Sequence, residues 1–173
     1  MLTVVQAQKT LLVVYYSMTG GTEQMAHALI KGAKDSDTDG KVLAQLKLAP
    51  ETSASDVLAA DAYVFATPEN LGAVSGLMKD FFDRCYYPAL EKITGRAYAT
   101  MICAGSDGHN AARQIERIGT GWRLRAVADP LIVCTQAQTA EKILRQKIIS
   151  AEDLLRCKAL GSLMANGLAL GVF

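Results

Sequence analysis

The sequence predicts a doubly wound α/β domain, a parallel sheet of five strands with helices on both faces. Three observations carry that expectation. Short, continuous apolar runs alternate with segments of helical periodicity. The chain has 173 residues, half of them hydrophobic, which suits one domain with a substantial core. Polar and glycine-rich residues gather in the strand-to-helix loops 17–22, 67–76 and 104–110. Right-handed crossovers place all such loops at one edge of a parallel sheet.

The elements follow in order. Leu11 to Tyr16 is an unbroken apolar run with β-branched and aromatic members, as in a strand covered on both faces. Met25, Ala26, Leu29, Ile30 and Ala33 recur at helical spacing, with Glu23, Gln24 and Lys31 between them. Val42 to Leu48 partly alternates, like an outer strand, and Asp61 to Ala66 is a third strand ending at Thr67-Pro68. Val74, Leu77, Met78, Phe81, Phe82 and Cys85 mark the next helix. Met78, Phe81 and Phe82 read as its core face, and Lys79, Asp83 and Arg84 as a solvated face with i,i+4 pairing. Arg96 to Cys103 is the fourth strand and Asn110 to Ile118 a helix, with Trp122 packed against its end. Leu131 to Cys134 is the fifth strand, and the Ser150/Asp153 capping box opens a last helix through Leu160. Residues 1–9 form an N-terminal extension of the single domain 1–173, and 35–41 and 135–149 are too irregular to assign a role.

Composition narrows the function classes. A net charge of +1 without a Lys/Arg-rich run gives no general pull towards nucleic acid or acidic membranes. Residues 1–9 lack the pattern of a signal peptide, and the apolar end 160–173 is broken by Ser162, Asn166 and glycines, so no membrane span is expected. The four cysteines are spread singly and the chain has two histidines. That argues against a metal site and for reduced, mostly buried thiols in a cytoplasmic protein.

The first polar loop carries the most chemistry. Ser17-Met18-Thr19-Gly20-Gly21-Thr22 packs three hydroxyls and two glycines between a strand and a helix. A helix start has unpaired N–H groups and the positive end of its dipole, so it binds anions. A strand-to-helix turn also uses Ser, Thr and Gly for turning and capping alone, and that reading stands beside the first. The loop matches neither G-x-G-x-x-G nor a Walker P-loop, and its hydroxyls without a lysine suit a monophosphate.

The strand plus SMTGGT, together with ATPENLGAVSGLMKDFFDR at 66–84, resembles the flavodoxin-like superfamily. The second stretch is similar to the branch of NAD(P)H:quinone oxidoreductases and multimeric flavodoxins, where T/S-P-x-x-x-G-x-x-S-G-x-M/L-K-x-F-x-D-R borders a flavin ring. Pro68, Gly72, Ser75, Gly76, Met78, Lys79, Phe81, Asp83 and Arg84 match that pattern, and Cys157-x-x-Leu160-Gly161 resembles how such chains finish. The resemblance implies strand order 2-1-3-4-5 and FMN at the point where that order reverses. It implies that Ser17, Met18, Thr19, Gly20, Gly21 and Thr22 hold the FMN phosphate. Pro68, Glu69, Asn70, Leu71 and Gly72 would then border the ring, with Gly72 letting the backbone approach it. Ala104, Gly105, Ser106, Asp107 and Gly108 would close its other side. His109 is the catalytic candidate, placed to steady charge on a reduced ring or protonate a product.

The functional expectation is an FMN-dependent oxidoreductase that passes a hydride from NADH or NADPH to a quinone or similar small acceptor. A one-electron carrier of the flavodoxin type is the alternative, and a flavin-free interaction protein the third. No aromatic residue occurs in 67–76 or 104–110, and the net charge is near neutral, unlike the acidic carriers that flank the ring with Trp or Tyr. One ring face is therefore expected to be open, or covered by a second copy in a homodimer.

Overall fold

A computed structural model describes residues 8–173. The N-terminal extension expected over 1–9 lies outside them except at its end, where Lys9 already begins the first strand. The elements run β1 (Lys9–Tyr15), α1 (Gly21–Ser36), β2 (Val42–Leu48), a 3-10 turn (Ala49–Glu51), α2 (Ala54–Ala59) and β3 (Ala62–Asn70). Then come β4 (Ala73–Val74), α3 (Gly76–Ala89), β5 (Ala97–Ala104), α4 (His109–Gly121), β6 (Arg125–Ala126), β7 (Leu131–Cys134), α5 (Ala140–Leu144) and α6 (Ala151–Leu170).

The sheet order is β2-β1-β3-β5, with β6 and β7 both pairing β5 along its outer side. With the two-residue β4 set aside, this is the expected 2-1-3-4-5 order, its fifth position shared by two short pieces. All pairings are parallel except β3 with β4, which form a hairpin beyond the sheet edge. Both faces are covered, and β1 shows why its sequence is apolar without a break. Leu11, Val13 and Tyr15 enter one core with α1 and α6. Leu12 and Val14 enter the other, with Tyr63, Phe65 and the α3 residues Met78, Phe81 and Phe82. Trp122 is buried there, edge-on to Phe65 and Phe82.

Several local expectations hold. Lys79–Asp83 and Arg84–Asp80 form i,i+4 ion pairs on the outside of α3, each at 2.7 Å. Arg84 also donates to the Ala49 and Thr52 carbonyls, tying α3 to the 3-10 turn. Ser150 caps α6, and the helix continues ten residues past Leu160, to Leu170. Elsewhere the structure adds elements. The segment 49–60 holds the 3-10 turn and α2, whose six residues are too few to display a periodicity. Its signal was nonetheless in the chain, because Ser53 and Asp56 form the same S-x-x-D box as Ser150 and Asp153. The segment 135–149, expected to be irregular, contains α5 and folds over the carboxyl edge of the sheet. The stretch 67–76 is less a loop than the end of β3 turning into β4.

Candidate functional site

β1, β3, β5 and β7 all deliver their carboxyl ends to one edge, and a cavity of about 490 Å³ opens there. Its first wall is the turn after β1. Gly20 adopts φ +81° to swing the chain into α1, a conformation that favours glycine. Gly21 is required for a different reason: a Cβ there would lie 2.6 Å from Cys103 Sγ. The start of α1 thus rests directly on β5. No side chain caps this helix. Ser17 Oγ and Thr22 Oγ1 are buried at the turn with no hydrogen-bond partner. The Cys103 thiol is close enough to feel the Thr22 hydroxyl, but the two do not meet hydrogen-bonding geometry. A buried hydroxyl left unpaired costs roughly 1–3 kcal/mol. Two of them beside an uncapped helix start form a donor set suited to phosphate oxygens. That geometry favours the anion reading of the turn over capping alone.

The second wall is the β3–β4 hairpin. Glu69 pairs with Val74 and Asn70 with Ala73, leaving Leu71 and Gly72 as its two-residue turn. Both have positive φ, +50° and +69°, the mark of a type I′ turn. Buried Thr67 and Ser75 brace the base through a 2.9 Å hydroxyl bond. Helix α4 holds the outer part. Gln114 accepts from Val74 N–H at 2.9 Å, and Asn110 Nδ2 donates to the Gly72 carbonyl. The Glu69 carboxylate accepts from the Gly108 and Ala111 N–H groups at 2.9 and 3.0 Å, so it caps α4 from across the cavity rim. A fully exposed leucine in the left-handed region is strained by roughly 1–2 kcal/mol. Leu71→Asn, giving the Asn-Gly pair this turn prefers, should raise the melting temperature by about 2–4 °C. A lowered melting temperature would show that the leucine side chain is held by contacts worth more than that strain.

Ala104, Gly105 and Ser106 form the third wall. A fourth comes from Thr135, Ala137, Ile143 and Lys147, on the strap between β7 and α6. The strap lies close: a Cβ on Gly105 would stand 2.8 Å from the Ala137 carbonyl oxygen. It is also latched to the first wall. Lys147 N–H donates to Thr19 O at 2.8 Å, the Gln24 amide donates to Gly20 O and Lys147 O, and Ile149 N–H donates to Gln24 Oε1.

Of the residues predicted from sequence, Ser17, Met18, Thr19, Gly21, Thr22, Pro68, Glu69, Asn70, Leu71, Gly72, Ala104, Gly105 and Ser106 line this one cavity. Gly20, Asp107 and Gly108 do not. Gly20 serves the turn, Asp107 presents its carbonyl to the Cys134 thiol, and Gly108, at φ +86°, starts α4. His109 is not on the cavity either. It is the first residue of α4 and lines a separate 290 Å³ groove with Arg113, Glu116 and Asp129, its side chain 76% exposed. The left-handed turn at Gly108 thus sets His109, the catalytic candidate, outside the lining of the larger cavity. Cys103, Thr135, Ala137, Ile143 and Lys147 were missed. A fifth strand-to-helix loop at the same sheet edge was the available signal, obscured by its length and mixed composition.

The cavity contains little acid–base chemistry of its own. Burial pushes the Cys103 thiol up to about 11, so it stays protonated at neutral pH. Glu69, the carboxylate on the lining, is committed to α4. None of the lining side chains is aromatic, and Met18, Leu71 and Ile143 leave apolar surface exposed at the mouth.

The same architecture occurs in solved structures. A flavodoxin from the domain Archaea superposes with a TM-score of 0.73 at 18% identity, covering 92% of this chain and 98% of that one. A flavodoxin described as a WrbA-like protein, from Agrobacterium tumefaciens, gives 0.71 at 20% identity, covering 94% and 99%. At these identities the likeness speaks for the fold, which is flavodoxin-like. A flavodoxin of Aquifex aeolicus (strain VF5) is 34% identical over 97 residues, 56% of this chain and 51% of that protein, so the match spans about half of the relative's length. The class defined by fold and site is the flavodoxin-like, FMN-binding superfamily. A model of the family described as NADPH-dependent FMN reductase matches residues 20–139, and the chain belongs to that family. No described helix is long and apolar enough to cross a membrane.

Proposed function

We propose that the chain is an FMN-dependent oxidoreductase that takes a hydride from NADH or NADPH and delivers electrons to a quinone or similar small acceptor. The observation that carries this reading is the pairing of a phosphate-type cradle with a cavity lining that has no aromatic side chain. Bound FMN supplies the redox chemistry at its ring, and the protein supplies position and surroundings. Ser17, Thr22 and the N–H groups at the start of α1 would hold the phosphate. The hairpin 68–72 and residues 104–106 would flank the ring. Met18, Leu71 and Ile143 would offer apolar contact to a flat acceptor at the mouth. Exposed Leu71, Leu144 and Ile148, on the hairpin and strap, support a homodimer in which a second copy covers that face.

A one-electron carrier is the second reading, favoured by the relatives described as flavodoxins. Anaerobic mixing of the FMN-loaded protein with NADH and with NADPH separates the two. Rapid bleaching of the flavin absorbance in one two-electron step is the expected result. A flavin that stays oxidised with both nucleotides, yet takes up chemical reductant in two separate one-electron steps, would replace the reductase reading with the carrier.

A further inference from the structure

The strap between β7 and α6 carries a charge whose placement the family resemblance does not account for. Lys147 is the one cationic side chain on the cavity lining among the described residues. Its stem lies over the start of α1: a Cβ on Gly21 would stand 3.3 Å from Lys147 Cβ and 3.4 Å from its Cγ. Its backbone N–H is fixed to Thr19 O in the same turn. The ammonium donates to the carbonyls of Lys142, Ile143 and Arg145, at 2.9, 2.8 and 2.7 Å, and so closes the carboxyl end of α5. These partners are neutral carbonyls, so its charge is oriented but not cancelled. That charge reaches the cavity floor, where it opposes the burial that raises the Cys103 thiol.

The stem of a cationic side chain therefore packs on an uncapped helix start, on the same cavity lining as Ser17 and Thr22 with their buried, unpartnered hydroxyls. Resting on the FMN reading above, we infer that Lys147 supplies the positive charge of the phosphate site, and that anion binding there fastens the strap 135–149 over the cavity. The hydroxyls and the helix start give the anion hydrogen bonds but no full positive charge. A full charge nearby adds Coulombic attraction to those hydrogen bonds, and the strap is the segment that carries one. The lysine comes from a segment more than 120 positions away in sequence and is brought in by the Gln24 latch. Its three N–H donors are already given to the α5 carbonyls, so the anion acts on its charge through space, and that attraction holds the strap against the start of α1.

The test compares FMN with riboflavin, which has the same ring and no phosphate, on wild type, Lys147→Met and Lys147→Arg. Lys147→Met should weaken FMN binding about tenfold and flatten its salt dependence while leaving riboflavin unchanged, and Lys147→Arg should restore most of the loss. Equal weakening of both ligands would mean that Lys147 is only a wall of the cavity, and an unchanged FMN affinity would overturn the inference outright. Amide exchange across 143–149, with inorganic phosphate as the probe, gives an arm independent of the flavin. Phosphate should slow exchange in wild type and not in Lys147→Met. Slowed exchange in a wild type that binds neither flavin would keep the anion site and overturn the FMN reading. Exchange unaffected by phosphate in wild type would overturn the coupling to the strap.

Discussion

A Ser17→Ala, Thr22→Val double variant should lose FMN affinity by about a thousandfold and, without ligand, should be more stable than wild type. The two effects have one cause. Both hydroxyls are buried without partners, so each carries a desolvation cost in the free protein that nothing offsets. Removing them, with valine keeping the shape of Thr22, relieves about 1 kcal/mol apiece. In the complex the same hydroxyls donate to a charged phosphate, and each such bond contributes about 2 kcal/mol, or about thirtyfold in affinity. Capping residues behave in the opposite way, since losing a cap costs about 1 kcal/mol in the free protein. Thermal unfolding of the free variant and titration with FMN separate the cases. A lowered melting temperature with FMN affinity intact would remove the phosphate assignment from this turn.

The second large effect belongs to the scaffold. Gly161→Ala should destabilise the protein by about 3 kcal/mol, lowering its melting temperature by about 6–12 °C. Inside a helix that change ordinarily gains about 1 kcal/mol, so the sign itself is diagnostic. Here α6 crosses α1 at a pair of glycines. A Cβ on Gly161 would lie 2.0 Å from the Leu29 carbonyl oxygen, and one on Gly32 2.0 Å from that of Lys158. Both obstacles are backbone, so relief requires α1 to shift. Because α1 begins with the cradle, FMN binding should weaken together with stability. Gly121→Ala is the control, with nothing within 4 Å of the added carbon and an expected change within about 0.5 kcal/mol. A Gly161→Ala protein that melts at or above wild type would show that the two helices can separate freely.

What was readable in the chain was whatever depends on near neighbours. The unbroken run Leu11–Tyr16 reported a strand buried on both faces, and β1, which ends at Tyr15, divides its side chains between the two cores. The spacing of Met78, Phe81 and Phe82 reported a buried helix face, and Lys79 with Asp83 an outer one. SMTGGT announced a glycine turn at a helix start because turn and helix lie within one short segment. The hairpin was obscured because Pro68 and Gly72 look like loop residues, while its stability comes from Gln114, Asn110 and the α4 start, about forty positions on.

By itself, then, the sequence determined the alternation of strands and helices, the two-sided core, and the hydroxyl-rich turn at the first helix, since each rests on residues within a few turns of one another. Only the tertiary structure decided which side chains share the cavity. It set His109 on a second groove, at the first residue of α4 after the left-handed turn at Gly108. It committed Glu69 to capping α4, and it brought Lys147 to the start of α1 through hydrogen bonds spanning 123 and 125 positions. Contacts of that range leave no local periodicity or spacing to read, because they exist only once the sheet has brought its carboxyl ends to one edge.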